Sequence, residues 1–312
     1  MKKILLYALL LPVGFLLGSC NEDSLSSTSV ITGSVNVETE FDTWLEDNYR
    51  APFNIRFLYR YEDIETDMDF DLVPAEEIYS RILAKMVRFL WLDAYTEVTD
   101  VHFMRENSPR MMQVIGSAAF NKNNTFQLGT AEGGQKITLY VGNWLDDYLD
   151  IIYTDPADES KGYKVVLTDV DMVNYYYLHT IHHEFAHILN QKKDYPRDFN
   201  TISQNDYVAA WSNLSEKDAA VKGFVSPYAS SAPGEDFVEV FAFYLTWSPA
   251  EWQAKLDQAG ETGADRIQRK LVIVKKYMTE TWNIDMDELR DVLGRRYAEV
   301  ENLNWSDFNT EE

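Results

Sequence analysis

The stretch Tyr175-Tyr-Tyr-Leu-His-Thr-Ile-His-His-Glu-Phe-Ala-His-Ile-Leu-Asn-Gln191 decides how the rest of the sequence is interpreted. It contains His183, Glu184 and His187 in the pattern H-E-x-x-H. On a helix, this spacing places two imidazoles one turn apart on one face, with a carboxylate beside them. The pattern therefore predicts a zinc site in which Glu184 is the general base.

The apolar residues of the same stretch predict that it is helical. They recur at helical spacing and form a single stripe. The stripe consists of Leu178, Ile181, Phe185, Ile188 and Leu189. His183 and His187 fall roughly opposite this stripe, so one side of the helix can be buried while the other lines a cleft.

His179 leaves an alternative ligand pair open. It lies four residues before His183, so these two histidines share a face as well. The His179 and His183 pair lacks a glutamate directly after its first histidine, which the zinc motif requires. His182 points away from this face, and we interpret it as a packed or hydrogen-bonded histidine.

A second acidic segment supplies the candidates for a third ligand, because catalytic zinc usually has three protein ligands and an open position. Gly234-Glu-Asp-Phe-Val-Glu239 predicts the start of another helix, on which Glu235 and Glu239 share a face. We predict that Glu235 binds the metal and that Glu239 accepts a hydrogen bond from a ligand histidine. The alternative is an acidic helix start that the helix dipole favours. Two histidines and a glutamate suit one Zn²⁺ per chain.

The first 20 residues have the pattern of a bacterial lipoprotein signal peptide. Lys2 and Lys3 precede the apolar residues 4–17, and Leu17-Gly-Ser-Cys20 has the form of a lipobox. We therefore predict that Cys20 is lipidated and becomes the first residue of the mature chain. The alternative is an ordinary signal peptide with an incidental cysteine.

Composition and charge exclude several classes of protein. Of the 312 residues, 46% are hydrophobic and 14% are aromatic, which is enough for a large core. Removal of residues 1–20 takes away two of the 28 basic residues and none of the 51 acidic ones, which leaves a formal charge near −25. Such a charge argues against nucleic acid as a partner. Cys20 is the only cysteine, which excludes an intramolecular disulfide and a cysteine-ligated zinc site.

The remaining patterns predict an α+β protein with a small mixed sheet, an active-site helix and a mostly helical C-terminal part. Residues 21–38 are rich in Ser and Thr and are predicted to be a flexible tether. Residues 39–312 are predicted to form one catalytic domain, with an N-terminal α/β lobe at about 39–190 and a helical lobe at about 191–312.

Short β-prone runs predict strands at residues 112–118, 125–128, 136–141 and 163–167, and amphipathic patterns predict helices at residues 249–258, 265–277 and 286–300. Of these strands, residues 137–141 are predicted to be the sheet edge that lines the cleft.

Three motifs resemble one known family. His183-Glu-Phe-Ala-His187, Gly223-Phe-Val-Ser-Pro-Tyr-Ala229 and Glu235-Asp-Phe-Val-Glu239 are similar to the substrate-import-associated zinc metallohydrolase lipoproteins of Bacteroidetes. The similarity covers most of residues 41–245. It implies a zincin-like metallopeptidase of the gluzincin type. It also implies an outer-membrane lipoprotein exposed at the cell surface and associated with a nutrient importer.

The resemblance also implies a role for Tyr228. Gluzincins have a tyrosine seven residues before the glutamate ligand, and Tyr228 has this spacing from Glu235. By this resemblance, Tyr228 donates a hydrogen bond to the oxyanion that develops during hydrolysis. The sequence thus predicts a zinc peptidase that acts on a peptide or protein. Two alternatives stay open: a non-catalytic, zinc-containing binding lipoprotein, and a hydrolase of non-peptide amides.

Overall fold

Helices make up most of the chain in the computed structural model, which describes residues 38–62, 69–121, 125–158 and 162–306. The predicted signal peptide, Cys20 and almost all of the predicted tether lie outside these residues. The α-helices of four or more residues are α1 (Glu40–Leu45), α2 (Glu77–Val87), α3 (Asp93–Val98), α4 (Val101–Asn107), α5 (Val170–Val173), α6 (His179–Lys192), α7 (Phe199–Ile202), α8 (Glu216–Val221), α9 (Pro233–Thr246), α10 (Pro249–Trp282) and α11 (Met286–Val300).

The strands form one four-stranded mixed sheet and two small hairpins. They are β1 (Arg56–Leu58), β2 (Met111–Val114), β3 (Ala119–Phe120), β4 (Phe126–Gln127), β5 (Gly129–Glu132), β6 (Lys136–Leu139), β7 (Leu149–Tyr153) and β8 (Tyr163–Leu167). The large sheet has the order β1-β2-β6-β5, in which only β5 runs antiparallel to its neighbour. The pairs β3 with β4 and β7 with β8 are the hairpins.

The edge of the large sheet differs from the prediction. Residues 137–141 were expected at the edge, but β6 lies between β2 and β5, so β5 forms the edge instead. A tight turn joins β5 to β6, with φ of 56° at Gly133 and 69° at Gly134. Two consecutive positive φ values are typical of a type I′ hairpin turn, which glycine adopts without a steric penalty. Residues 129–132 were not predicted as a strand, because they contain no run of β-branched or large apolar residues.

The predicted active-site helix is present, and its apolar stripe is buried. It begins at α5, passes through a π-helical turn at Asn174–Leu178 and continues as α6. All five stripe residues have 0% exposure: Leu178, Ile181, Phe185, Ile188 and Leu189. Trp91 and Tyr95 pack edge-on against Phe185, each with its ring centroid 5.3 Å from that of the phenylalanine. Because the stripe side of α6 is buried in the core, the opposite side, which carries His183 and His187, faces the cleft.

The C-terminal helices pack around the centre of the fold. Helix α9 lies against α6 and is buried along most of its length. Residues 249–258 and 265–277, predicted as two helices, belong to a single element, α10, which is kinked at Gly260. Gly260 has φ 65° and ψ 179°, a conformation that only glycine adopts readily.

Residues from Thr39 onward form one compact unit by their backbone contacts, and the division into two lobes stays a prediction. Among the described residues, none of the helices combines the length and the apolar character needed to cross a membrane.

Candidate metal centre

Two helices bring His183, His187 and Glu235 together. His183 and His187 lie one turn apart on α6, and Glu235 lies in the first turn of α9. One carboxylate oxygen, Oε2 of Glu235, is 3.2 Å from Nε2 of His183 and 3.2 Å from Nε2 of His187. The three residues predicted as metal ligands therefore converge on one point, although 48 residues separate His187 from Glu235.

The spacing of these atoms fits a zinc ion. Ligand atoms about 2.0–2.1 Å from zinc at tetrahedral angles lie about 3.4 Å from one another. The two measured separations of 3.2 Å from Glu235 are close to that value. Two imidazoles and one carboxylate also form a ligand set that zinc prefers. The chain thus presents three ligands on one side of a potential metal position.

Glu239 holds the opposite side of the His183 ring. Its Oε1 is 2.8 Å from Nδ1 of His183 and 3.0 Å from Nε2 of His179. Its other oxygen accepts a hydrogen bond from Ser226, whose hydroxyl in turn accepts one from the backbone N–H of Ala229. An acceptor at Nδ1 favours the tautomer that leaves Nε2 of His183 free to bind a metal.

The alternative pair of His179 and His183 also meets a carboxylate, because both rings contact Glu239. This second group uses the Nδ1 atom of His183, whereas the first uses Nε2. A ligand histidine commonly binds metal with one nitrogen and hydrogen-bonds a carboxylate with the other. This pattern favours a metal position on the Glu235 side, with His179 as a support for Glu239.

The two glutamates create a strongly negative environment. Burial opposes the charged form of His183, but hydrogen bonds with Glu235 and Glu239 outweigh it and raise the pKa of His183 to about 10. Burial likewise opposes the charged carboxylates, yet the histidines hold the pKa values of Glu235 and Glu239 well below the usual range. The same field that attracts a proton attracts a metal cation.

Glu184 lies beside the edge strand β5. Its side chain is buried, and burial raises the pKa of its carboxyl group, although the nearby His183 and His187 favour the charged form. The strand also approaches α6 closely at Gly129. A Cβ atom at Gly129 would lie 2.3 Å from Cγ2 of Thr180 and 3.7 Å from Cγ of Glu184. The lack of a side chain at Gly129 therefore brings β5 against the cleft face of α6.

Tyr228 lies beside the ring of His183. It begins a short 3-10 turn, and its ring centroid is 5.9 Å from that of His183. Burial first, and then the charge and hydrogen bonding of Glu235, raise the pKa of Tyr228. The phenol therefore stays protonated and can donate a hydrogen bond. Trp211 packs edge-on against the ring of Tyr228 at 5.0 Å.

His182 has the structural position expected from the sequence. It is fully buried, its Nδ1 lies 3.0 Å from the hydroxyl of Tyr95, and burial lowers its pKa to about 3. Ser226 and Gly129 were not predicted as parts of the site. Ser226 lies within a quoted motif, but no spacing in the sequence indicated a hydrogen bond to Glu239.

Fold and site together define a mixed α/β protein in which two helices assemble a His₂Glu cluster that could hold a metal ion. Residues 34–287 match the family described as "Putative zinc-binding metallo-peptidase", and the chain belongs to this family. It is similar to a putative zinc-binding metallo-peptidase from Bacteroides caccae ATCC 43185, known from a crystal structure. The two are 44% identical and have a TM-score of 0.71, and the match covers 90% of this chain and 100% of that one. No curated protein matches the sequence. The metallopeptidase family predicted from the sequence is thus confirmed.

Proposed function

We propose that this protein is a zinc-dependent peptidase of the HExxH type, with a zincin-like fold and a gluzincin-like ligand set. One observation carries the proposal: Oε2 of Glu235 lies at the same distance, 3.2 Å, from Nε2 of His183 and Nε2 of His187. His183, His187 and Glu235 would hold one Zn²⁺ per chain. When bound, the ion supplies a Lewis acid that polarises nearby oxygen atoms and acidifies water.

Glu184 is the proposed general base. It takes a proton from the attacking water and later delivers a proton to the amine that leaves. Burial raises the pKa of Glu184, and a carboxylate with a raised pKa is a better base near neutral pH.

Tyr228 is the proposed donor to the carbonyl oxygen of the substrate. As water adds to the carbonyl carbon, this oxygen gains negative charge, and a phenol hydroxyl can stabilise that charge through a hydrogen bond. The position of Tyr228 near His183 supports this role, and its phenol stays protonated so that it can donate.

The test separates metal binding from hydrolysis. Glu184→Gln is expected to keep zinc, measured by elemental analysis, and to lose the ability to cleave a quenched fluorescent peptide pool. His183→Ala is expected to lose the zinc. Glu261→Gln changes an exposed residue of α10 and is expected to keep both properties. A Glu184→Gln protein that cleaves peptides at the wild-type rate would remove Glu184 from the mechanism.

The same assay distinguishes the alternatives. A non-catalytic zinc-containing binding lipoprotein would hold zinc and cleave nothing, and a hydrolase of non-peptide amides would act only on such amides. Structural zinc sites usually have four protein ligands, whereas this cluster has three with an acidic residue beside them. This difference supports catalysis.

We further propose that the protein is an outer-membrane lipoprotein, anchored through Cys20, exposed at the cell surface and working beside a nutrient importer. The support is the lipobox in the sequence and the resemblance described above. Cell fractionation tests the anchor, because Cys20→Ala should release the protein from the membrane fraction.

A further inference from the structure

A row of aromatic side chains leads away from the metal centre along the start of β5. We define the aromatic ledge as Phe120, Phe126, Trp144, Tyr148 and Tyr176. Successive rings are in contact: the centroid of Phe126 is 5.6 Å from that of Phe120 and 5.5 Å from that of Trp144. Tyr176 continues the row, 5.6 Å from Trp144 and 5.9 Å from Tyr148.

The ledge has an open surface. Phe120 is 56% exposed and Phe126 is 39% exposed, while Trp144, Tyr148 and Tyr176 are half-buried. Large aromatic side chains contribute most when water is removed from them, and an exposed contiguous group is typical of a binding surface.

Two segments of the chain lead from the ledge toward Glu184. One is the helix that contains α6, and the other is the edge strand β5. Along α6 and the π-helical turn before it, Thr180 contacts β5 and donates a hydrogen bond to the carbonyl of Tyr176. Along the edge strand, Gly129 lies against Thr180 and Glu184, and Phe126 lies three residues earlier in the chain. The ledge therefore lies at the end of the cleft where β5 begins.

The edge of β5 can pair with an extended peptide. Tyr140 donates its backbone N–H to the carbonyl of Leu128, so Leu128 and every second residue after it face β6. Gly129 and Ala131 therefore direct their backbone groups away from β6, toward the cleft. A peptide added to such an edge binds through its main chain and places alternate side chains in pockets.

The distance between Tyr176 and Glu184 indicates which residue of a bound peptide would contact the ledge. The eight helical steps from Tyr176 to Glu184 rise about 12 Å. An extended peptide advances about 3.3 Å per residue. A side chain on the ledge therefore belongs to a residue about three to four positions from the bond that lies beside Glu184.

The backbone before the ledge is held in an unusual conformation. Val141 has φ 57°, which is strained for a β-branched residue, and its carbonyl accepts a hydrogen bond from the hydroxyl of Tyr177 at 2.8 Å. Val141 directly precedes the 3-10 helix Gly142–Tyr148, which carries Trp144. Strain of this kind persists only where surrounding contacts enforce it, so the contact with Tyr177 holds the backbone that leads into the helix carrying Trp144.

The rim of the ledge is acidic. After burial and the neighbouring Tyr176, the carboxylates of Asp147 and Asp169 contribute to the raised pKa of Tyr148. With the chain as a whole at a formal charge of −23, this end of the cleft disfavours acidic ligands.

From these contacts we propose that the ledge is a specificity subsite for an extended peptide. The peptide carries an aromatic residue about three to four positions from the cleaved bond and has neutral or basic neighbours. This inference rests on the proposed peptidase function, since it places the substrate on β5 beside Glu184.

The test measures binding apart from cleavage. The probes are alanine-rich, dye-labelled peptides with a single tryptophan at successive positions, and the receptor is the zinc-loaded Glu184→Gln protein. We expect tryptophan at the selected position to strengthen binding, and we expect Phe126→Ala or Trp144→Ala to reduce this preference roughly tenfold. Glutamates beside the tryptophan should weaken binding. Ile152→Ala is the control, because Ile152 is exposed on β7 and is not one of the ledge residues.

The outcomes separate this inference from the proposed function. A tryptophan preference that both ledge variants retain overturns the ledge as a subsite, even if the wild-type protein cleaves the peptides. A preference lost in the variants supports the ledge, even if the wild-type protein cleaves none of them, in which case the peptidase proposal fails instead. Binding of oligosaccharides in place of all peptides overturns the peptide assignment. Since Phe126 is largely at the surface, its variant is expected to fold even if the Trp144 variant does not.

Discussion

Oε1 of Glu239 lies 2.8 Å from Nδ1 of His183, on the far side of the ring from the Nε2 atom that faces Glu235. The imidazole is thus held between two carboxylates, of which one is positioned to share a metal and the other to orient the ring. Glu239 is itself fixed by His179 and Ser226. The orientation of His183 therefore depends on residues from three separate parts of the chain.

Glu239→Gln is expected to weaken zinc binding by about 10-fold to 100-fold, because loss of the carboxylate lowers the basicity of His183 as a ligand. Competition with a fluorescent zinc chelator measures the change. Glu261→Gln, the exposed control, should bind zinc like the wild type. Unchanged affinity in Glu239→Gln would show that the contact with His183 has no influence on the metal.

Tyr228→Phe is expected to lower kcat by roughly 100-fold, because it removes one donor to the developing oxyanion while the ring stays packed against Trp211. Zinc content should not change, since Tyr228 is not among the predicted ligands. Steady-state kinetics on a quenched peptide measures the effect, with Tyr153→Phe as the control. A change in KM alone would indicate that Tyr228 binds the substrate equally in the ground state and the transition state.

Gly129→Ala is expected to destabilise the protein by about 1–3 kcal/mol, because the new methyl group overlaps Cγ2 of Thr180, at a distance of 2.3 Å. Adding Thr180→Ser removes that Cγ2 atom and keeps the hydroxyl, so the double variant should regain part of the loss. Urea unfolding measures both free energies.

Gly294→Ala is the matched control for this pair. Its Cβ would meet nothing within 4 Å, and Gly294 lies inside helix α11, where alanine is favoured. It should therefore be neutral or stabilising. Equal stability of Gly129→Ala and the double variant would show that Thr180 is not what limits the space at Gly129.

His183, His187 and Glu235 could be proposed as candidate ligands from the sequence because each belongs to a short local pattern. His183 and His187 are one helical turn apart within a motif, and Glu235 belongs to an acidic pair at a helix start. The apolar stripe of α6 predicted its buried face for the same reason. Helix α11 and strand β8 were also predicted at their observed bounds, since their patterns are regular.

The edge strand could not be predicted in the same way. Gly129-Thr-Ala-Glu132 has one β-branched residue and no large apolar one, so its sequence resembles the turn that follows. Which strand lies at the edge depends on pairing between residues distant in the chain, and no local pattern encodes that order. For the same reason Ser226 could be assigned only after Glu239 was located in space.

A buried ion pair links α10 to the glutamate-bearing helix. Nζ of Lys270 lies 2.6 Å from Oδ2 of Asp236, and both side chains are fully buried. Lys270 also donates a hydrogen bond to the carbonyl of Gly223 at 2.7 Å, and Tyr207 donates one to Asp236 at 2.8 Å. Gly223 begins the segment that leads to Tyr228, and Asp236 lies on α9, the helix that carries Glu235. The ion pair therefore connects both of these elements to α10.

Lys270→Met is expected to lower the free energy of unfolding by about 3–5 kcal/mol, because it leaves the charge of Asp236 buried without its partner. Combining it with Asp236→Asn removes that charge and leaves an amide oxygen for Tyr207, so the double variant should be more stable than Lys270→Met alone. Urea unfolding of the two proteins measures the difference. Lys276→Met, at a lysine whose side chain is 68% exposed, should stay within about 0.5 kcal/mol of the wild type. If the double variant unfolds as easily as Lys270→Met, the cost lies in lost packing around the lysine stem against Phe224 and not in the unpaired charge.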